Sequence, residues 1–151
     1  MKKETLYLDT SVISAYFDKR AKERQEVTIK FWKKILPNYQ AHISVVTIEE
    51  LGNTKNATLK KAFMSLVKGL KVLNTNEEIR KLANVYITKG IFPDRYFDDA
   101  LHVAVASFYG TSYLASWNFE HLVKIKTRKL VDLVNLLEGY REIEIVSPQE
   151  L

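Results

Sequence analysis

The sequence predicts an α/β fold, a three-layer α/β/α arrangement in which helices cover both faces of a central, mostly parallel sheet. Short apolar runs alternate along the chain with longer segments of helical periodicity, as in proteins built around a parallel sheet. The first run, Leu6-Tyr7-Leu8, is apolar without interruption, which is typical of a strand buried on both faces. A length of 151 residues suits one domain with a proper core, so we expect a single domain over residues 1–151.

Periodicity and turn residues divide the first part of the chain into strands and helices. Val27, Phe31 and Ile35 recur at i, i+4 and i+8, the spacing of one helix face. Pro37 ends that helix. The predicted elements are a strand over residues 6–8, helices over 12–17 and 22–36, a strand over 41–46 and a helix that begins at Thr47.

Glycines and alternating polarity define the elements of the second part. Gly90 and Gly110 follow helical stretches, where glycine is common because it adopts the left-handed conformation. Ile143-Glu144-Ile145 alternates between apolar and polar residues, as a short strand does. The predicted elements are helices over residues 56–67, 76–89, 97–109 and 123–137, and strands over 71–73, 113–116 and 143–146.

The composition excludes several kinds of protein. No apolar run approaches the roughly 18 residues of a membrane span and no signal peptide is present, so we expect a cytoplasmic protein that makes no membrane contact. Because the chain has no cysteine, disulfides, thiolate metal sites and cysteine nucleophiles are excluded. Its 23 Lys and Arg residues exceed its 18 Asp and Glu residues, and the net charge of +5 favours an anionic partner such as nucleic acid.

Acidic residues lie near the ends of predicted strands or at the start of a helix facing that edge. Asp9 follows the first strand, Glu50 lies early in the helix after the second, and Asp98-Asp99 begins the helix at residue 97. In a parallel sheet the carboxyl ends of the strands share one edge, where ligands bind. Clustered carboxylates repel one another unless a cation lies between them, and Mg²⁺ prefers oxygen ligands. The pattern therefore indicates a divalent metal site.

Each of these acids also has a purely structural explanation. Asp9 could cap the helix that follows it. Thr47 and Glu50 match a capping box, with Thr at the N-cap position and Glu three residues later. Asp98 and Asp99 fall in the first turn of a helix, where the helix dipole favours acids. Taken one at a time, the acids leave both explanations open.

Four segments spread over nearly the whole chain carry a resemblance to a known family. They are Leu8-Asp9-Thr10-Ser11-Val12-Ile13, Val46-Thr47-Ile48-Glu49-Glu50-Leu51, Asp99-Ala100-Leu101-His102-Val103-Ala104-Val105-Ala106 and Ser116-Trp117-Asn118-Phe119-Glu120-His121. In this order they resemble the PIN domain family, and within it the VapC-type toxins of bacterial and archaeal toxin–antitoxin pairs. The resemblance implies an α/β/α sandwich and a Mg²⁺- or Mn²⁺-dependent endoribonuclease. It also implies RNA as substrate, a small antitoxin protein as partner and a homodimer.

The resemblance implies roles for particular residues. Asp9, Glu50 and Asp99 would be the core acids that hold the metal, and Asn118 would lie with them in the catalytic site. Ser11, two residues after Asp9, is a further candidate for the catalytic site, where it could hydrogen-bond a metal-bound water; it could instead simply cap a helix. Many members of the family have a fourth acid where this chain has Asn118. The Trp-Asn-x-x-His pattern at this position resembles a subgroup of the family, so the substitution is compatible with activity.

Other residues carry weaker expectations. Glu49 and Asp98 are weaker candidates for site acids than their neighbours Glu50 and Asp99. His42 and His102 are expected to be packed or hydrogen-bonded. For His121, which lies close to the inferred site, a structural and a catalytic role are about equally expected.

The sequence as a whole indicates a metal-dependent endoribonuclease that cleaves single-stranded or structured RNA, the toxin of a toxin–antitoxin pair. Tyr96 and Trp117 could be exposed enough to stack on a base. An aspartyl-nucleophile phosphatase is one alternative, although Ser11 stands where such enzymes carry a second Asp; a non-catalytic RNA-binding module is another. The candidates for contacting the RNA backbone are Lys19, Arg20, Lys22, Lys124, Lys126 and Arg128.

Overall fold

The computed structural model describes residues 2–151 and confirms the α/β class, with one five-stranded sheet in that range. The strand order is β3-β2-β1-β4-β5, and all four pairings are parallel. Tyr7 in the central strand lies opposite His42 on one side and Leu114 on the other. The strands are β1 (Thr5–Leu8), β2 (Gln40–Ser44), β3 (Lys71–Leu73), β4 (Tyr113–Ala115) and β5 (Glu144–Val146).

Helices cover both faces of the sheet. They are α1 (Thr10–Tyr16), α2 (Lys22–Lys30), α3 (Val45–Gly52), α4 (Ala57–Val67), α5 (Glu77–Thr88), α6 (Phe97–Phe108) and α7 (Ile125–Glu138). Leu6 and Leu8 of β1 join the core beneath α1, α2 and α4, whereas Tyr7 joins the core beneath α5, α6 and α7. Successive side chains of a strand point to opposite faces, so β1 contributes to both cores and the fold has three layers. Within residues 2–151 no helix is long and apolar enough to cross a membrane.

The predicted helix over residues 22–36 is divided into three parts. Its α-helical part, α2, ends at Lys30, and the chain continues as a π turn over Phe31–Ile35 and a 3-10 turn over Leu36–Asn38. Pro37 lies in the last turn and has no N–H to donate to an α-helical hydrogen bond. An α-helix therefore does not continue to β2, and the chain enters that strand from a 3-10 turn.

The boundary between β2 and α3 also differs from the prediction. Val45 and Val46 begin α3 although their β-branched side chains favour a strand. The Ser44 hydroxyl accepts a hydrogen bond from the N–H of Val46, and the Thr47 hydroxyl accepts one from the N–H of Ser44. These two bonds form a capping box that begins at Ser44. The alternative of a capping box from Thr47 to Glu50 is therefore wrong.

The strand order creates a switch point between β1 and β4. The chain winds from β1 to β2 and β3 on one side, then returns to β4 and β5 on the other. Ligands of open parallel sheets bind beyond the carboxyl ends of the strands at such a point. Asp9 directly follows β1 and Ser116 directly follows β4, so these two side chains define the place where a site is expected.

Candidate functional site

Asp9 is nearly buried at the switch point, with 4% of its surface exposed. Its Oδ1 accepts hydrogen bonds from the N–H and the hydroxyl of Ser11 at 3.0 and 2.5 Å, and its Oδ2 accepts one from the Ser116 hydroxyl at 2.6 Å. The N–H contact caps α1, so the structural role of Asp9 is present as well. Burial raises the pKa of Asp9, against the lowering effects of His102, Ser11 and Ser116. Three donors thus fix the orientation of this carboxylate.

Glu50 projects from α3 towards a buried histidine of α6. Its Oε1 accepts hydrogen bonds from His102 Nε2 at 2.5 Å and from the Thr10 hydroxyl at 2.6 Å. His102 Nδ1 lies 2.6 Å from the Tyr7 hydroxyl oxygen, which is 2.7 Å from Ser44 Oγ. A protonated imidazole donates from both nitrogens, so the Tyr7 hydroxyl can accept from His102 and donate to Ser44. This chain of contacts connects Glu50 to the ends of β1 and β2.

The charges of Glu50 and His102 stabilise each other. Burial opposes protonation of His102, but its contacts with Tyr7, Glu50 and Asp9 outweigh burial and hold the imidazole pKa well above its usual value. Burial would likewise raise the pKa of Glu50, but the hydrogen bonds from His102 and Thr10 and the charge of His102 outweigh it and lower that pKa. At neutral pH the site therefore contains a cation of its own.

Asp99 lies in the first turn of α6 and is half-buried. Its Oδ2 is 3.4 Å from Asn118 Nδ2, a long hydrogen bond. Asn118 Oδ1 accepts the N–H of His121 at 2.9 Å, so the amide nitrogen of Asn118, and not its carbonyl, faces the acid. The pKa of Asp99 is raised to about 6, mainly by burial. The charges of Asp9 and Glu50 also raise this pKa, whereas those of His102 and His121 lower it.

The three predicted core acids come together at the edge of the sheet. Asp9, Glu50 and Asp99 arise from the end of β1, from α3 and from α6, and the charges of the first two raise the pKa of the third. The two acids ranked second, Glu49 and Asp98, are exposed to solvent. The structure thus brings one acid of each neighbouring pair into the cluster.

The other residues predicted for the site lie beside these acids. The Ser11 hydroxyl donates to Asp9 and accepts the N–H of Trp117 at 2.8 Å. Asn118 contacts Asp99 through its amide, and its carbonyl holds the turn that contains His121. Both side chains position their neighbours.

Sequence reasoning missed the residues that orient the acids. His102 is hydrogen-bonded, as expected, but its partner is Glu50 of the acid cluster itself. Thr10 and Ser116, each near a strand end, donate to the acids. One signal was available, because Asp99 and His102 are spaced i, i+3 and therefore share a helix face.

The cluster has the donor chemistry of a site for a hard divalent cation. Three carboxylates and one imidazolium carry two net negative charges, which a single divalent ion neutralises. Asp9 accepts three hydrogen bonds and Glu50 uses one oxygen for both of its contacts, so carboxylate lone pairs remain for an ion. Within residues 2–151, however, no group of three or more His, Asp or Glu side chains is arranged so that it could hold an ion without moving. The residues fit such an ion by chemistry and charge, and binding requires side chains to turn towards it.

Aromatic side chains border the acids. Tyr96 stacks on His121 with ring centroids 4.1 Å apart, and the Arg95 guanidinium lies 5.0 Å from the Tyr96 centroid. Trp117 is only 6% exposed, and its indole N–H donates to Thr28. The expectation that Trp117 is exposed enough to stack on a base is therefore wrong, because its ring is part of the core.

The predicted basic residues lie in two surface segments. Arg20 pairs with Asp18 at 3.1 Å, and Arg128 lies 3.8 Å from Glu150. The exposed members are Lys19, Arg20, Lys22, Lys124 and Lys126.

Comparison with known proteins gives this arrangement a context. The family model of the PIN domain matches residues 6–118, well over half of the chain. No curated protein matches the chain.

Solved structures share the fold at low sequence identity. FitAcB from Neisseria gonorrhoeae is 15% identical with a TM-score of 0.63, covering 97% of this chain and 100% of that one. VapC20 from Mycobacterium tuberculosis, described as a sarcin-ricin loop cleaving toxin, is 14% identical with a TM-score of 0.61, covering 78% of this chain and 92% of that one. VapBC-1 from nontypeable Haemophilus influenzae is 18% identical with a TM-score of 0.59, covering 96% and 98%.

Proposed function

Because this chain belongs to the PIN domain family, we propose that it is a Mg²⁺- or Mn²⁺-dependent endoribonuclease and the toxin of a toxin–antitoxin pair. One observation carries the proposal: Asp9, Glu50 and Asp99 converge at the switch point of the sheet, and Asp99 is half-buried beside the other two acids. Partly buried carboxylates that repel one another are costly unless a cation pairs with them. A divalent ion between them removes that cost.

The residues of the chain have distinct tasks in this proposal. Asp9, Glu50 and Asp99 would hold the ion, which when bound supplies a water of lowered pKa and stabilises charge on the phosphate. Ser11 and Ser116 keep both oxygens of Asp9 in place.

Further side chains support these acids. Thr10 and His102 orient Glu50, and His102 keeps a proton on Nε2 towards it. Asn118 presents N–H to Asp99 while its carbonyl holds the N–H of His121. This last pair of contacts explains the Asn-x-x-His spacing, and we assign the chain to the Trp-Asn-x-x-His subgroup on that basis.

The substrate in this proposal is single-stranded or structured RNA. A net charge of +5 and exposed lysines suit a polyanion. Acids at a sheet edge reach a flexible strand more readily than the interior of a regular duplex. Another structure with this fold, from Klebsiella pneumoniae and 17% identical to this chain, is described as a toxin–antitoxin complex. By analogy, we propose that a small antitoxin protein binds this chain and that the protein is a cytoplasmic homodimer of one nuclease domain.

Two other functions fit less well. A phosphatase needs an accessible nucleophile, but Asp9 is 4% exposed and both of its oxygens accept hydrogen bonds. A binding module without catalysis would leave the clustering of three acids beside RNA unexplained, because carboxylates repel phosphate.

Cleavage of a single-stranded RNA in the presence of Mn²⁺ tests the proposal. Asp9→Asn, Glu50→Gln and Asp99→Asn should each lower the rate by about a hundredfold or more, comparable to the loss of one stabilising group in other enzymes. The matched controls Glu49→Gln and Asp98→Asn change the exposed neighbours and should retain activity. Cleavage that persists in a chelator, or that survives all three core substitutions, would refute the proposal.

A further inference from the structure

A cavity of about 620 Å³ opens beside the acid cluster, between the start of α2 and the segment after β4. This volume lies within the range of small-ligand pockets, about 300–1,000 Å³. None of the three core acids lines the cavity, so it is a separate feature of the surface. Its walls are formed by Ala21, Lys22, Glu23, Arg24, Val27, Trp117, Phe119 and Gln149.

One wall of the cavity is a stack of an arginine and two aromatic rings. The Arg24 guanidinium carbon lies 5.1 Å from the Trp117 ring centroid and 5.8 Å from that of Phe119. The two rings are 6.1 Å apart in an edge-to-face arrangement. Trp117 is anchored through its indole N–H to Thr28 of α2, whereas Phe119 is 43% exposed. Trp117 is therefore held in place, and the Phe119 ring is accessible to solvent.

The cavity is connected to the acid cluster through Asn118. The side chain of Asn118 contacts Asp99, while its two chain neighbours, Trp117 and Phe119, line the cavity. The N–H of Trp117 donates to the Ser11 hydroxyl, which donates to Asp9. The segment Trp117-Asn118-Phe119 thus both contacts the acid cluster and lines the cavity.

We propose that this cavity is a binding subsite for one nucleotide of single-stranded RNA, whose base stacks on Phe119 and Arg24. The inference rests on the proposed ribonuclease function and adds to it a place where an unpaired base is held. Proteins bind single strands by stacking bases on aromatic rings and arginine planes, beside a cationic groove. A protein segment is the other conceivable occupant, but the position next to the acid cluster favours the substrate.

The charge of the cavity predicts which contact contributes most. Lys22 and Arg24 are cationic and Glu23 is anionic, so the charged side chains of the lining sum to +1. A single net charge attracts a phosphate only weakly in salt. Stacking is therefore the main source of affinity, and its loss should persist at high ionic strength.

Fluorescence anisotropy of a labelled single-stranded hexaribonucleotide, measured in a chelator to prevent cleavage, tests the subsite. Phe119→Ala and Arg24→Ala should each weaken binding about tenfold, the scale of one lost base stack. Phe119→Tyr keeps the ring and should bind like the unmodified protein. Arg24→Lys keeps the charge but not the plane, so its affinity should fall between those of the unmodified protein and Arg24→Ala.

Matched controls separate the subsite from general surface effects. Tyr109→Ala removes an aromatic side chain with the same 43% exposure that lies just before β4, at the opposite end of the strand. Arg80→Ala removes an exposed arginine of α5 that does not line the cavity. Both should change the affinity by less than about twofold, and thermal melting should show that all variants fold.

The outcomes distinguish the subsite from the nuclease. If Phe119→Ala and Arg24→Ala bind RNA as tightly as their controls while the protein still cleaves RNA, the subsite is refuted, the nuclease stands, and a protein segment becomes the candidate occupant. If both variants lose affinity but the core acids prove dispensable for cleavage, the subsite stands and the assignment of the acid site fails.

Discussion

The acid cluster has two sides that differ in how their charges are compensated. On one side, Asp9 and Glu50 accept hydrogen bonds of 2.5 or 2.6 Å from serine, threonine and histidine donors. On the other, Asp99 has one amide contact at 3.4 Å and a pKa raised to about 6 by burial. The first side is already organised, while the second carries a charge that is poorly compensated. A bound cation would give Asp99 the close partner that it lacks, and the organised side would keep the other ligands in place.

The largest expected effect comes from removing the cation of the organised side. His102→Phe leaves Glu50 and Tyr7 without their buried partner, so we expect the free energy of unfolding to fall by about 2–4 kcal/mol. His42→Phe is the matched control, because His42 is half-buried on β2 and its Nδ1 has no hydrogen-bond partner within residues 2–151. The control should change stability by less than about 1 kcal/mol. Urea unfolding of both variants measures the difference, and equal losses would show that the Glu50–His102 contact contributes nothing.

Replacing Asp99 by its amide should raise the free energy of unfolding instead of lowering it. Its pKa is about 6 in the folded protein against an ordinary 3.8, so the folded state holds the proton more tightly and stability falls as the pH rises from about 4 to 6. Asp99→Asn removes that loss. The full difference would be about 3 kcal/mol, and solvent screening of a half-buried group reduces it to about 1–2 kcal/mol.

The pH dependence distinguishes this effect from a general change in packing. The stabilisation by Asp99→Asn should be complete above pH 6 and absent below pH 4, in unfolding curves recorded without metal. Asp98→Asn, at the exposed neighbour, should show no such dependence. A gain in stability that is equal at both pH values would contradict the raised pKa.

A smaller effect is expected at Asn118. Asn118→Asp keeps an oxygen for the N–H of His121 but replaces the amide contact to Asp99 with a like charge. The metal-free protein should lose about 0.5–1 kcal/mol at neutral pH, whereas Mn²⁺ should bind more tightly because a fourth acid joins the cluster. In the double variant with Asp99→Asn, the repulsion disappears and stability should return. A double variant no more stable than Asn118→Asp would exclude charge repulsion as the cause.

The main elements and the acids could be predicted because they leave local signals. Buried parallel strands give short apolar runs, and Asp9 directly follows the first of them. The boundary at Val45 and Val46 was wrong because strand propensity is a weak preference, which the capping hydroxyls of Ser44 and Thr47 outweigh.

The network that orients the acids left almost no signal in the sequence. His102 lies in an apolar helix and looks like a core residue, while its partners Tyr7 and Glu50 are 95 and 52 positions away. Only the three-dimensional fold brings them together. The burial of Trp117 was missed for the same reason, because its partner Thr28 is 89 positions away.

Calorimetric titration with Mn²⁺ in the absence of RNA tests the central claim most directly, that Asp9, Glu50 and Asp99 form one metal site. We predict one ion per chain at neutral pH, bound about tenfold or more weakly when any of the three is replaced by its amide. Glu49→Gln and Asp98→Asn should bind like the unmodified protein, because both side chains are exposed. Binding that all three core substitutions leave unchanged, or that the exposed controls weaken equally, would contradict the claim.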